Sequence, residues 1–233
     1  MKTAVLISGQ LRTFAKCYPT QKWQIFRHYE PDIHFFVSCV DDPQAASSSL
    51  LLRDYENVTV ELYQDPTDLP VIPNEKGAWA PYANATTHDK LMLQHWGNKR
   101  VFEFFCSKAD WTTFQTVIRI RPDIWIHRFQ KPCDPEPNEC FYPWWGKFGG
   151  VNDRLAVMSA EAAFSYFFVY DKIQYLLEQG CPFHPETLTA ESLRCADVIT
   201  RPLMAEFSTE RMDGSRRWAE IVMSDIAELI ANR

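Results

Sequence analysis

Thr116 to His127 reads T-V-I-R-I-R-P-D-I-W-I-H, and the fold of the chain turns on how it is understood. The β-branched and aromatic residues favour extended backbone. A period of two then puts Val117, Arg119 and Arg121, with Asp123 in line, on one face, and Thr116, Ile118 and Ile120 on the other. A strand covered by helices on both faces is normally apolar throughout. Two arginines inside one need carboxylate or phosphate partners, because an unpaired buried charge is costly. Pro122 has no N–H for a central ladder, so regular pairing should stop there. That puts Asp123 near the carboxyl end of a strand, where open α/β sheets bind their ligands. A structural Arg–Asp ion pair explains the same letters, and both readings stand on the sequence.

Outward from this stretch, the N-terminal half alternates strand and helix. Thr3 to Ser8 is wholly apolar, as a central parallel strand should be, and Gly9 ends it. Gly9 followed by Arg12 ahead of a helix suits a phosphate, although a plain turn with a surface arginine serves as well. Asp32 to Val40 is a second strand, and Asn57 to Tyr63 a third. Asp41 and Asp42 after the second strand either accept hydrogen bonds from a nucleoside or simply form a turn before Pro43. Gln64 to Thr87 carries four prolines with Trp79 and Tyr82, which either stack on a sugar or base or anchor the loop. A helix is expected over His88–Ser107, with Gly97 at a close crossing and His88, Asp89 and Gln94 in its first turns, where His88 with Asp89 either reaches a ligand or serves as a cap or surface residue.

Beyond the central stretch, Phe141 to Trp145 and Leu155 to Met158 read as strands on either side of Gly149-Gly150-Val151-Asn152-Asp153-Arg154. Paired glycines let the backbone pass close to something bulky, and Asn152-Asp153 directs polar groups there; a tight turn would use the same letters. Ser159 should cap a helix reaching Gln179, stopped by Gly180 and Pro182. His184-Pro185-Glu186 opens another helix, Ile199 to Phe207 is extended, and a helix is expected over Ser215–Ala231. No linker or repeat divides the 233 residues, so one α/β domain is expected.

The net charge of −6 and pI near 5.5 argue against a nucleic-acid partner. The apolar start is too short for a signal peptide or a transmembrane segment, so a cytoplasmic protein is expected. Seven cysteines without a C-x-x-C pair support neither a zinc site nor a redox motif, and reduced thiols are expected.

Taken together, V-L-I-S-G-Q-L-R-T-F, D-I-H-F-F-V-S-C-V-D-D, V-I-R-I-R-P-D-I-W-I and G-G-V-N-D-R-L-A-V-M-S resemble a family of glycosyltransferases with a GT-A-like fold. The later H-P-E-T-L segment is similar too, and R-x-R-P-D with G-G-x-N-D-R is the more specific pair. The resemblance implies a mostly parallel sheet flanked by helices, Rossmann-like at first and mixed later. The nucleotide-binding half would span about 1–126 and the acceptor half about 127–233. It also implies transfer of a sugar from a nucleoside diphosphate sugar to a glycan or polysaccharide acceptor. In that family type a D-x-D motif holds Mn²⁺ or Mg²⁺. Here the strand end is R-P-D, so only Asp123 matches, and arginines could carry some of the cation's charge. The roles implied are donor binding by Gly9, Arg12, Asp41, Asp42, Arg119, Arg121 and Asp123, and catalysis by Asp153, with Glu186 as a second candidate base. A nucleotidyltransferase of similar fold and a non-catalytic sugar-binding module are the alternatives.

Overall fold

The computed structural model describes residues 2–70 and 85–218, side chains at 85–88 and 216–218 excepted. Trp79, Tyr82 and the helix expected after residue 218 lie outside the described residues. The chain runs β1 (Lys2–Gly9), α1 (Phe14–Gln24), β2 (Ile33–Val40), α2 (Ala45–Ser49), β3 (Val58–Tyr63) and α3 (Ala85–Lys108). It continues through β4 (Phe114–Ile120), β5 (Ile124–Phe129), β6 (Glu139–Pro143), β7 (Leu155–Ser159), α4 (Ala160–Phe167), α5 (Val169–Glu178) and α6 (Pro185–Arg194). The last described strands are β8 (Ile199–Leu203), β9 (Ala205–Glu210) and β10 (Arg216–Trp218).

A seven-stranded sheet in the order β3-β2-β1-β4-β7-β6-β8 forms the middle layer, with β7 alone antiparallel to its neighbours. The expected class, a mostly parallel sheet between helices with a mixed second half, is therefore what the chain adopts. Alternation along the strands sorts the core into two layers. Val5, Ile7, Phe35, Val37, Ile118 and Ile120 face α1, whereas Ala4, Leu6, Phe36 and Val117 face α3 and α4. Burial of side chains of this size stabilises by roughly 1.5–3 kcal/mol each before chain entropy is charged against it. Gly97 does mark a close crossing: a Cβ there would lie 3.3 Å from the Tyr63 hydroxyl.

The opening stretch is two strands in two sheets. β4 pairs with β1 and β7, but Pro122 and Asp123 turn the chain out of that sheet, and β5 joins β9 and β10 instead. Removing the ladder donor at Pro122 allows the corner. Backbone bonds secure it, with Arg121 N–H donating to Arg154 O (3.0 Å) and Glu210 N–H to Asp123 O (2.8 Å). The smaller sheet lies on the α1 side, where Ile124, Ile126 and Phe207 join the core.

Two expectations need correcting. The helix after Ser159 is two helices, broken at Phe168, which lets Phe164, Phe167 and Phe168 all pack on Phe102. Ser159 caps the first by accepting from Ala162 N–H. Arg216–Trp218, placed in a terminal helix by its apolar stripe, is a strand paired with β9. All seven cysteines are free thiols, as expected. Among the described residues no helix is long and apolar enough to cross a membrane.

Candidate active site

The strand ends converge on a cleft of about 580 Å³. Ser8, Gly9, Val40, Tyr63, Arg119 and Arg121 reach it from the carboxyl ends of β1 to β4. Lys90, Gln94 and Gly97 reach it from one face of α3, and Glu210 and Arg211 from the end of β9. Four of the expected donor-binding residues on the strand side meet here with Asp123: Gly9, Arg12, Arg119 and Arg121. Asp41 and Asp42 do not line the cleft. Asp42 Oδ1 instead accepts the N–H groups of Gln44 and Ala45 (2.8 and 2.9 Å), the turn-forming use of such a residue.

Arg121 and Asp123 form a forked pair, Nε to Oδ1 at 2.9 Å and Nη2 to Oδ2 at 2.7 Å. Burial disfavours both charges, but each group overrides it for the other, lowering the Asp123 pKa and raising that of Arg121. Arg119 is different. It is 2% exposed, its Nη1 donates to Ile120 O (2.7 Å), and its Nε has no partner among the described residues. Burial lowers its pKa to about 10, which leaves it cationic at neutral pH. Its electrostatic neighbours include Tyr166, whose pKa burial raises well above the ordinary value, and His95, whose pKa burial lowers to about 4. Both are neutral at pH 7, and the charges that favour the guanidinium are those of Asp153 and Asp123, which are hydrogen-bonded to Gln94 and Arg121 and not to Arg119. Neither ring nitrogen of His95 has a partner among the described residues.

Asp153 and Glu186 come together behind the cleft, buried at 3% and 2% exposure. Gln94 Nε2 donates to Asp153 Oδ2, and Arg154 Nη1 lies 3.9 Å from Asp153 and 3.5 Å from Glu186. His184 Nδ1 is 2.9 Å from Glu186 Oε2. Burial raises the pKa of Glu186, and the Asp153 charge adds to it. Burial also works against the Asp153 carboxylate, yet Arg154 and then Arg121 hold its pKa below the ordinary value. Two neighbouring carboxylates are thus driven apart in proton affinity.

The paired glycines explain how this cluster is assembled. A Cβ at Gly150 would fall 2.0 Å from the Glu186 carbonyl oxygen, and Val151 N–H donates to that same oxygen (3.0 Å). The bulky neighbour inferred for Gly149-Gly150 is therefore the first turn of α6. Asn152 locks the loop by donating from Nδ2 to Trp145 O (2.8 Å).

A divalent cation fits this donor set poorly. Both oxygens of Asp123 are engaged by Arg121, and the described residues contain no group of three His, Cys, Asp or Glu side chains able to hold a metal. Lys90, His95, Tyr166, Glu210 and Arg211 were not identified as site residues from the sequence. Lys90 and Gln94 share the helical face marked by Gly97, a signal that was there to be read. Glu210 and Arg211 carry no such signal, because β9 brings them in from another sheet.

No family model matches the chain, and no curated protein matches it. Among solved structures the matches include glycosyltransferases. The galactosyltransferase LgtC, in complex with donor and acceptor sugar analogs, is 12% identical, with 85% of this chain and 72% of that chain covered and a TM-score of 0.49. Apo mouse xyloside xylosyltransferase 1 is 9% identical over 87% and 84% of the two chains, TM-score 0.46. A glycosyltransferase involved in glycosylation of the major capsid of PBCV-1 is 12% identical over 87% and 82%, TM-score 0.43.

Proposed function

We propose that the protein is a glycosyltransferase that takes a sugar from a nucleoside diphosphate sugar and passes it to a hydroxyl of a glycan or polysaccharide. The observation that carries this reading is the cleft at the carboxyl ends of β1 to β4, lined by a buried arginine, Arg119, whose Nε has no partner among the described residues. Such crevices are where open α/β sheets bind nucleotides. A leaving diphosphate gathers negative charge in the transition state, which fixed cations stabilise better than water does. Arg12, Lys90, Arg119 and Arg121 are the groups on hand for it.

Asp153 was expected to deprotonate the acceptor. Its burial and its bond from Gln94 favour a positioning role, in which it fixes the Gln94 amide and the Arg121 charge at the cleft. Glu186 would support Arg154 in the same manner.

The test is release of nucleoside diphosphate from a panel of sugar nucleotides, with and without oligosaccharide acceptors. Acceptor-stimulated release from one donor is expected, reduced at least about hundredfold in Arg121→Ala. A folded protein that neither turns over nor binds any sugar nucleotide overturns the reading.

A further inference from the structure

We propose that the donor diphosphate is bound here without a divalent cation, by Arg119 acting as its buried counter-charge and Arg121 as a fork pre-set by Asp123. This rests on the sugar-nucleotide reading of the cleft and says how the phosphates are held.

Three observations lead to it. The first is the unmet hydrogen-bond donor of Arg119. Its Nε–H is buried without an acceptor among the described residues, and the carboxylates that favour its charge, Asp153 and Asp123, are bonded to Gln94 and Arg121 instead; an anion entering the cleft supplies the missing acceptor. The second is the state of the single acidic match to the metal-binding motif. Asp123 gives both oxygens to Arg121, so a cation there would have to displace a guanidinium and then sit beside it. The third is the balance along the walls. Among the described residues, five cationic side chains line the cleft against three carboxylates, one of which is already paired with Arg121. A metal-binding crevice needs an excess of negative charge before its ligand arrives; the described lining of this one has an excess of positive charge, which suits a polyanion directly.

The chemistry balances without a metal. As the bond from the anomeric carbon to the diphosphate oxygen breaks, its electron pair stays on the diphosphate; the acceptor oxygen supplies the pair for the new bond, and its hydroxyl proton passes to the departing diphosphate or to water. The added charge on the leaving oxygen is met by N–H donors of Arg119 and Arg121, which are already in place.

Calorimetric titration of the intact chain with UDP and GDP, each in excess EDTA and then in Mn²⁺, tests the proposal. At least one nucleotide should bind in EDTA, with Kd changing less than about threefold on adding Mn²⁺, about 0.6 kcal/mol. Binding that appears only with Mn²⁺, or tightens more than tenfold with it, overturns the proposal while leaving the cleft a nucleotide site. No binding in either condition overturns both. Arg119→Met adds an independent readout. If Arg119 awaits an anion, the variant should keep or raise Tm while losing at least tenfold in nucleotide affinity. A lowered Tm with unchanged affinity would make Arg119 a structural residue and end the proposal. Arg121→Lys, which keeps the charge but loses the fork, should bind more weakly in EDTA than wild type; equal binding also counts against it.

Discussion

Arginine and carboxylate meet twice near the centre of this protein, on either side of Gln94. On the cleft side, Arg121 and Asp123 keep 25% and 20% of their side-chain surface open. On the far side, Asp153 and Glu186 are sealed against Arg154 and His184. The residue types are nearly the same, and the difference lies in what each set can touch. A sealed set spends its charge on holding neighbours in place, whereas an open pair can exchange solvent for substrate. The proposed function accordingly assigns chemistry to the open pair and alignment to the sealed one, whereas the sequence pattern alone points to Asp153 as the base.

The comparison breaks most readily at Asp153. Asp153→Ala leaves Arg154 and Gln94 facing a buried gap and should destabilise by about 3–5 kcal/mol in urea unfolding. A loss under about 1 kcal/mol would mean that Asp153 is not structural and would return it to the role of base. Gly150→Ala attacks the same cluster through the backbone. Forcing the loop off the α6 turn should cost about 1–3 kcal/mol or somewhat more, with Tm falling accordingly.

His95 provides a pH test. The folded protein holds a proton on His95 less tightly than the unfolded chain, with a pKa of about 4 against 6.5. Its contribution to stability is therefore complete above pH 6.5 and is lost as the pH falls towards 4. About one proton should be taken up on unfolding across that window, and His95→Gln should remove that part of the slope. Identical slopes in the two proteins would refute the assignment. The smallest stability effect is expected at Asp123. Asp123→Asn should cost no more than about 1 kcal/mol, because the pair is partly solvated. Turnover should nonetheless drop at least about tenfold as the Arg121 fork loosens. A large stability loss with little change in turnover would reverse the contrast between the two sets.

Much of this was legible in the sequence because it depended on local rules. The apolar runs at Thr3–Ser8 and Ile33–Val40, the Ser159 cap and the Gly180 stop each appear where their chemistry requires. Gly97 and Gly150 correctly signalled close approaches, though not to which partner. What stayed hidden was non-local. Nothing in R-P-D says that β5 leaves for another sheet, or that Glu210 and Arg211 return to the same cleft. Nor does the order Asn152-Asp153-Arg154 reveal which side of Gln94 the carboxylate occupies. Burial is a property of the assembled layers, and it separates the two charged sets.

The corner at Pro122 and Asp123 has a bearing on how this architecture can vary. One peptide segment ends a strand of the large sheet, starts a strand of the small one, and bonds through the Asp123 carbonyl to the wall at Glu210. Floor and wall of the cleft therefore share a single joint. An insertion at residues 121–124 would shift the alternation of β5 against β9 and change the width of the cleft in one step. Diversification among relatives built this way should gather in the loops around the rim, with the length of this joint left untouched.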